Sequence, residues 1–385
     1  PVVLSYLVMT KTEIRLFANE KAFSASILDA LSKDGVTILP YDSIYEYVKT
    51  FEKDMTVLLC KKKANCRLVN NIPKEVTILD EANLTFLPKS IKNPVEVENE
   101  RIAHIKDGVA LTKFICWLKK NVGKIPITEL SAGEKLYSFR AQQENFIDNS
   151  FDPIISYGIH AAINHYSATP ETDIAIEPGN FLLADTGGHY YEGTTDTTRT
   201  IVMGSVNDEQ KKYFTAVLRG MLNLGNAKFR YGCTGVNLDY LARGPLWEMG
   251  QDFNHGTGHG VGYLLSVHEA PNAIRYRIMK NPELNPVFEP GMITSNEPGV
   301  YLDNEFGIRI ENLILCKEKE KTDFGEFLCF ENLTYVPYDM ELIDMDMLDG
   351  KEKEILREYN QMVYEKLSKH LQENVKKWLK KYLNC

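Results

Sequence analysis

The sequence predicts a mixed α/β (α+β) protein in which a small α/β domain precedes a larger one. Three observations carry that reading. Over the first ninety residues, short apolar runs alternate with helical stretches. A long helical segment then follows the pair Asn93-Pro94, and residues 150–332 turn rich in Gly, Thr and His with strand-like runs. A length of 385 residues suits two or three domains.

In chain order, Val2 to Val8 and Glu13 to Phe17 read as strands and Ala22 to Leu31 as a helix. Val36 to Leu39, Met55 to Leu59 and Val76 to Leu79 read as further short strands. A boundary falls near Leu87 to Lys92, giving a first domain over 1–90, a catalytic domain over 91–348 and a helical extension over 349–385. Asn93 and Pro94 supply an N-cap and a first helical residue, with Glu96 in the first turn. Ile102, Ile105, Val109, Phe114, Trp117 and Leu118 keep helical spacing until Asn121 to Gly123. Ser131 and Glu134 have the spacing of a capping box, so a second helix is placed from Ser131.

Beyond Ser150, strands are expected at Phe181 to Ala184, Thr198 to Val202 and Gly307 to Leu315, with one helix from Asp208 to about Lys228. The last thirty-five residues place Ile355, Tyr359, Val363, Leu367, Leu371, Val375 and Trp378 at three- and four-residue steps. That stripe reads as one amphipathic helix with a Lys-rich outer face, packed on the body of the protein or on a sister subunit.

Composition narrows the function. The chain is 44% hydrophobic and 25% charged, enough apolar material for a core without staples. Asp and Glu outnumber Lys and Arg by 53 to 44, a formal charge of −9, which argues against nucleic acid as a partner. No apolar run approaches the ~20 residues that cross a bilayer, so no membrane is expected. Cys60, Cys66, Cys116, Cys233, Cys316, Cys329 and Cys385 are odd in number, scattered and outside any C-x-x-C pair. They fit reduced thiols and a cytoplasmic location. The chain opens on Pro1 with a strand almost at once, which suggests that more sequence lies upstream.

Four segments carry chemistry. In LLADTGGHYYEGTTDTTRT an apolar strand delivers Asp185, Gly187-Gly188 turns the chain, and Asp196 lies on the returning segment. Two bare carboxylates side by side repel, and a divalent cation between them removes that penalty. In NHGTGHGVGYLLSVHEAP, His255, His259 and His268 lie within fourteen residues. The spacing of His255 and His259 would suit a zinc-protease helix, but the interleaved glycines make a helix improbable. A looped segment with its backbone close to a ligand fits better. Glu297 in SNEPGVY follows an apolar run and precedes a Pro-Gly turn. Glu311 ends the alternating strand Ile308 to Ile310, with Arg309 pointing to the opposite face. Two Asp, one His and two Glu make a mostly oxygen donor set that suits two divalent ions such as manganese, cobalt or zinc.

The order D…D…H…E…E, with DTGGHYYEGTTDTTRT, HGTGHGVG…VHEAP, NEPGVY and GIRIEN, resembles the pita-bread metallopeptidases, which include methionine aminopeptidase, prolidase, creatinase and aminopeptidase P. INHYSATPET and FLCFENLTYVPYDMELIDMDML bring the likeness nearest to the Xaa-Pro aminopeptidase branch. The resemblance implies a pita-bread (creatinase-like) catalytic domain after the small α/β domain. It implies that Asp185 chelates one metal, His259 and Glu297 bind the other, and Asp196 and Glu311 bridge both. His165, His255 and His268 would line the substrate cleft, with His255 and His268 stabilising the tetrahedral intermediate. Glu297 would also serve as base toward a bridging water, whose pKa metals lower from about 15.7 to about 7. The implied substrates are peptides with proline second, the implied metal Mn2+ (or Zn2+ or Co2+), and the implied assembly a homodimer using Gly325 to Leu348 and the helix after it. Two rivals share the frame: a prolidase cutting only dipeptides, and an inactive pita-bread binding module.

Overall fold

The computed structural model describes residues 3–384, so Val2 of the first expected strand, and Cys385, lie outside the described residues. The chain divides into two compact units, one ending at Phe86 and the other running from Leu87.

In the first unit β1 (Ser5–Met9) pairs antiparallel with β2 (Ile14–Ala18), which pairs parallel with β3 (Val36–Pro40). The helix Ala25–Lys33 makes that parallel return, capped by Ser24. A second parallel pair joins β4 (Thr56–Leu59) to β5 (Thr77–Asp80). Phe17, Ile44, Val48, Ile72 and Val76 form the core of this unit.

The second unit opens with the 28-residue helix Pro94–Asn121. The Asn93 side chain accepts from the Glu96 backbone while Glu96 reaches back to the Asn93 N–H. The next helix, Glu129–Arg140, corrects the sequence reading: its cap is Thr128, and Ser131 is the partner that closes the box. Thr128 and Ser131 satisfy each other's N–H, so Glu134 is not needed at the cap.

Three strands follow as one sheet, β7 (Ile154–Tyr157), β8 (Asn180–Thr186) and β11 (Thr197–Met203), all antiparallel. A second sheet holds β6 (Phe146–Asn149), β9 (Gly188–Tyr190) and β10 (Gly193–Thr194). Strand β8 is apolar on both sides because it lies between two cores. Phe181 and Val202 face the core that holds Phe214, Val217 and Ile308, whereas Leu182, Ala184 and Ile201 face Phe114, Leu118 and Leu136.

The helix Asp208–Gly225 crosses this layer, and a four-stranded sheet completes the unit in the order β12 (Lys228–Arg230), β19 (Gly325–Asn332), β18 (Asn312–Thr322), β15 (Ile293–Asn296). Two ribbons stand beside it: β13 (Gly258–His259) with β14 (Ala273–Ile274), and β16 (Gly299–Leu302) with β17 (Phe306–Arg309). The single strand expected over Gly307 to Leu315 is thus two, broken at Ile310-Glu311.

The terminal stripe forms two helices, Gly350–Leu367 and Glu373–Tyr382, where one was expected. Leu371 and Gln372 are extended between them, which buries Leu371 in the main core with Leu356, Val363 and Leu379. No helix of the described residues is long and apolar enough to cross a membrane.

Candidate metal centre

Strand register builds the first half of the site. Asp185 stands opposite Thr198 on the β8–β11 ladder, on the face that also carries Phe181 and Val202. Asp196 immediately precedes β11 and lies two residues from Thr198, so all three side chains share a face. The chain turns at Tyr191-Glu192 between β9 and β10, not at Gly187-Gly188 as expected. Gly187 has another duty: a Cβ there would collide with the Thr195 carbonyl and Ser150 Oγ.

The second half comes from three loops. The backbone N–H of His259 donates to Ser295 Oγ at 2.9 Å, and that of Glu297 to the Thr257 carbonyl at 2.8 Å. The glycines of this segment let backbone approach backbone: a Cβ on Gly258 would strike the Ser295 carbonyl, and one on Gly260 that of Glu269. Gly256 and Gly258 line the cavity, and of the four glycines only Gly256 would accept a Cβ at ordinary contact distance, so close backbone packing rather than ligand approach explains the other three. Glu311 sits in the break between β17 and β18, its N–H on the Thr198 carbonyl at 3.1 Å and one carboxylate oxygen accepting from Thr198 Oγ1 at 2.7 Å.

These elements bring Asp185, Asp196, His259, Glu297 and Glu311 to one cavity of about 640 Å³. One donor atom each from Asp196, His259 and Glu311 lies within 4.8 Å of the others. His259 Nε2 is 3.5 Å from Asp196 and 3.4 Å from Glu297. Its Nδ1 is 3.0 Å from the Gly260 carbonyl, which assigns a proton to Nδ1 and turns Nε2, the atom nearest Asp196 and Glu297, toward the cavity as a candidate ligand atom.

The electrostatics fit divalent cations. Burial, with Asp185 nearby, pushes Asp196 up to about 7. Burial and three neighbouring carboxylates hold Glu311 well above the usual range. His259, which burial alone would lower, is raised to about 9 by Asp196 and Glu297. Asp185 Oδ1 is buried with no hydrogen-bond partner. Without cations these groups must hold protons to coexist, and oxygen donors plus one imidazole are what manganese-, cobalt- or zinc-like ions bind.

Arg309 points away from Ile308 and Ile310, which lie in the core, and lines the cavity with Glu311. Its Nη2 donates to Asp185 Oδ2 at 2.5 Å and its Nη1 to the Tyr301 hydroxyl at 2.6 Å. Burial raises Tyr301 to about 12, so it keeps its proton and donates to His255 Nε2 at 3.0 Å. Burial lowers the His255 pKa, and its Nδ1 is 2.8 Å from the Gly256 carbonyl. His255 is therefore neutral, with both ring nitrogens engaged. His268 is packed edge-on to His259, ring centres 4.2 Å apart, and lines the cavity with His165. Thr198 and Tyr301 escaped sequence reasoning because a lone Thr or Tyr in a strand gives no motif.

The sequence matches metallopeptidase family M24 over residues 98–318, the C-terminal region of that peptidase group over 326–384, and the creatinase/prolidase N-terminal domain over 1–96. The chain belongs to metallopeptidase family M24, and its catalytic unit has the pita-bread fold. Xaa-Pro aminopeptidase 1 of Dictyostelium discoideum is 36% identical over 372 residues, covering 95% of this chain and 58% of that protein. A probable Xaa-Pro aminopeptidase P of Sclerotinia sclerotiorum is 38% identical over 378 residues, covering 95% of this chain and 62% of the relative. The chain thus spans about three fifths of the length of these curated relatives. Among solved structures, an X-prolyl aminopeptidase from Caenorhabditis elegans, described as a cytosolic enzyme with a di-nuclear active site, superposes with a TM-score of 0.91. It is 32% identical, with all of this chain and 63% of that one covered. The prolidase of Pyrococcus furiosus gives a TM-score of 0.66 at 25% identity, covering 86% of this chain and 89% of that one.

Proposed function

We propose that the protein is a metal-dependent aminopeptidase that releases the N-terminal residue from peptides with proline in the second position. The observation that carries this is the convergence of Asp185, Asp196, His259, Glu297 and Glu311 on one cavity, with three of their donor atoms within 4.8 Å. Asp185 would hold one ion, His259 and Glu297 the other, and Asp196 and Glu311 both. Divalent ions in such a set act as Lewis acids that polarise a carbonyl and acidify water.

The chain's own groups supply the rest. Glu297 has one oxygen accepting from Ser295 Oγ at 2.9 Å, which orients it as the base that takes a proton from the attacking water. His268 has no hydrogen-bond partner among the described residues, so its ring is free to donate to the developing oxyanion. His255 is committed to Tyr301 and Gly256 and serves to position substrate, alongside His165. A penultimate proline leaves the scissile nitrogen without an N–H, so the substrate offers no hydrogen-bond donor at that atom.

Manganese as the metal and a cytoplasmic location go with this reading. Supporting them are the oxygen-rich donor set and cysteines that are all unpaired among the described residues. A homodimer and peptide partners are carried from the family resemblance.

The test is hydrolysis of Ala-Pro-Ala, Ala-Pro and Ala-Ala-Ala with Mn2+ or with chelator. Release of alanine from Ala-Pro-Ala only with metal supports the aminopeptidase. Cleavage of Ala-Pro alone points to the prolidase reading, and absence of both hydrolysis and metal binding in calorimetry points to a binding module.

A further inference from the structure

Arg275 lines the same cavity and has no part in the machinery above. It is one residue beyond β14 and two from Ala273, which pairs with His259. Side chains two apart on a strand share a face, so Arg275 lies on the His259 side of this ribbon.

Its surroundings differ from those of the two paired arginines at the cavity and from those of Arg277, which is exposed and lies over the Tyr276 ring. Arg309 has Asp185 and Tyr301, and Arg243 has Asp239, Asp252 and the carbonyls of Phe253 and His255. Arg275 is half-buried, yet it makes no ion pair or hydrogen bond among the described residues. Burial lowers its pKa, with no acid opposing that effect. A cation that gives up part of its hydration without a counter-ion is destabilising until a ligand supplies one. The planar guanidinium matches a carboxylate through two parallel N–H···O bonds.

Position says which carboxylate. The chain runs from Arg275 straight into Tyr276 and Ile278, both exposed, so Arg275 is on the open side of the cavity. An enzyme that removes one residue must enclose the amino end of its substrate and let the remainder leave through the open side. We propose that Arg275 is a specificity residue that pairs with a carboxylate on the peptide segment after the proline, an acidic side chain or a free C-terminus. This rests on the aminopeptidase reading of the site.

The experiment compares kcat/KM for Ala-Pro-Glu-Ala-amide against Ala-Pro-Gln-Ala-amide, and for Ala-Pro-Ala against its amide. The two pairs separate a side-chain from a terminal carboxylate. The expected preference is about tenfold for at least one carboxylate. It falls to about one in Arg275→Gln, and Arg275→Glu shifts it toward Ala-Pro-Lys-Ala-amide. Calorimetric Kd values for Pro-Glu-amide and Pro-Gln-amide, the portions that leave, read the same ratio without turnover. Ratios near one in the wild type, or a preference that survives both substitutions, overturn the proposal. Failure to hydrolyse any peptide, with the Kd ratio intact, sinks the peptidase reading and leaves the carboxylate site standing.

Discussion

Thr198 shows how a residue with no chemistry of its own sets a metal site. Its hydroxyl donates to Glu311 and its carbonyl accepts the Glu311 N–H, so one threonine fixes both ends of a bridging candidate. Partners that orient ligands typically carry 10–100-fold in metal affinity. Thr198→Val, which keeps the shape and removes the hydroxyl, is expected to weaken manganese binding by roughly that factor in calorimetry while the circular dichroism spectrum stays native. Equal affinity in the two proteins would show that Glu311 is held by its backbone alone. The candidate ligands were legible because acids and histidines at strand ends stand out in sequence. The relay from Asp185 through Arg309 and Tyr301 to His255 was not, since it depends on which loops meet across the cavity.

Elements show the same division between local and long-range information. Asn93, Pro94 and Glu96 announce their helix because capping is settled within four residues. The break at Ile310-Glu311 is silent, because an apolar run looks alike whether it pairs with one neighbour or changes partner midway. Here β17 pairs with β16 and β18 with β15, and the change of partner is what presents Glu311. The long helix carries a second consequence. His104 is buried on it, its Nδ1 on the Glu100 carbonyl at 2.7 Å and its Nε2 without a partner. Burial lowers its pKa to about 4. The folded protein thus keeps the ring neutral while the unfolded chain takes up a proton below about pH 6.5, so acid favours unfolding. Between about pH 7 and pH 5 this residue alone should cost about 2 kcal/mol of stability. Urea unfolding at both pH values checks it, and His104→Gln is expected to lack that part of the pH dependence.

At the scale of the molecule, the carboxylate cluster makes stability depend on cations. Ions that bind only the folded state at a hundred times Kd add about 2.7 kcal/mol. Adding Mn2+ to chelator-treated protein is therefore expected to raise Tm by about 3 °C in scanning calorimetry. Asp196→Asn should abolish the rise, and an unchanged Tm in the wild type would argue against a cation site. The terminal helices belong to this unit as fully as the sheets do. Arg199 is buried on β11 and donates to the carbonyls of Thr198 and Glu311 at 2.8 and 2.6 Å, and to the Tyr359 hydroxyl at 2.9 Å. The backbone beside two candidate ligand positions is thereby tied to a helix about 160 residues downstream. During synthesis on the ribosome, that knot stays open until Tyr359 has left the exit tunnel. A nascent chain stalled earlier therefore carries the Thr198 and Glu311 backbone without that tie.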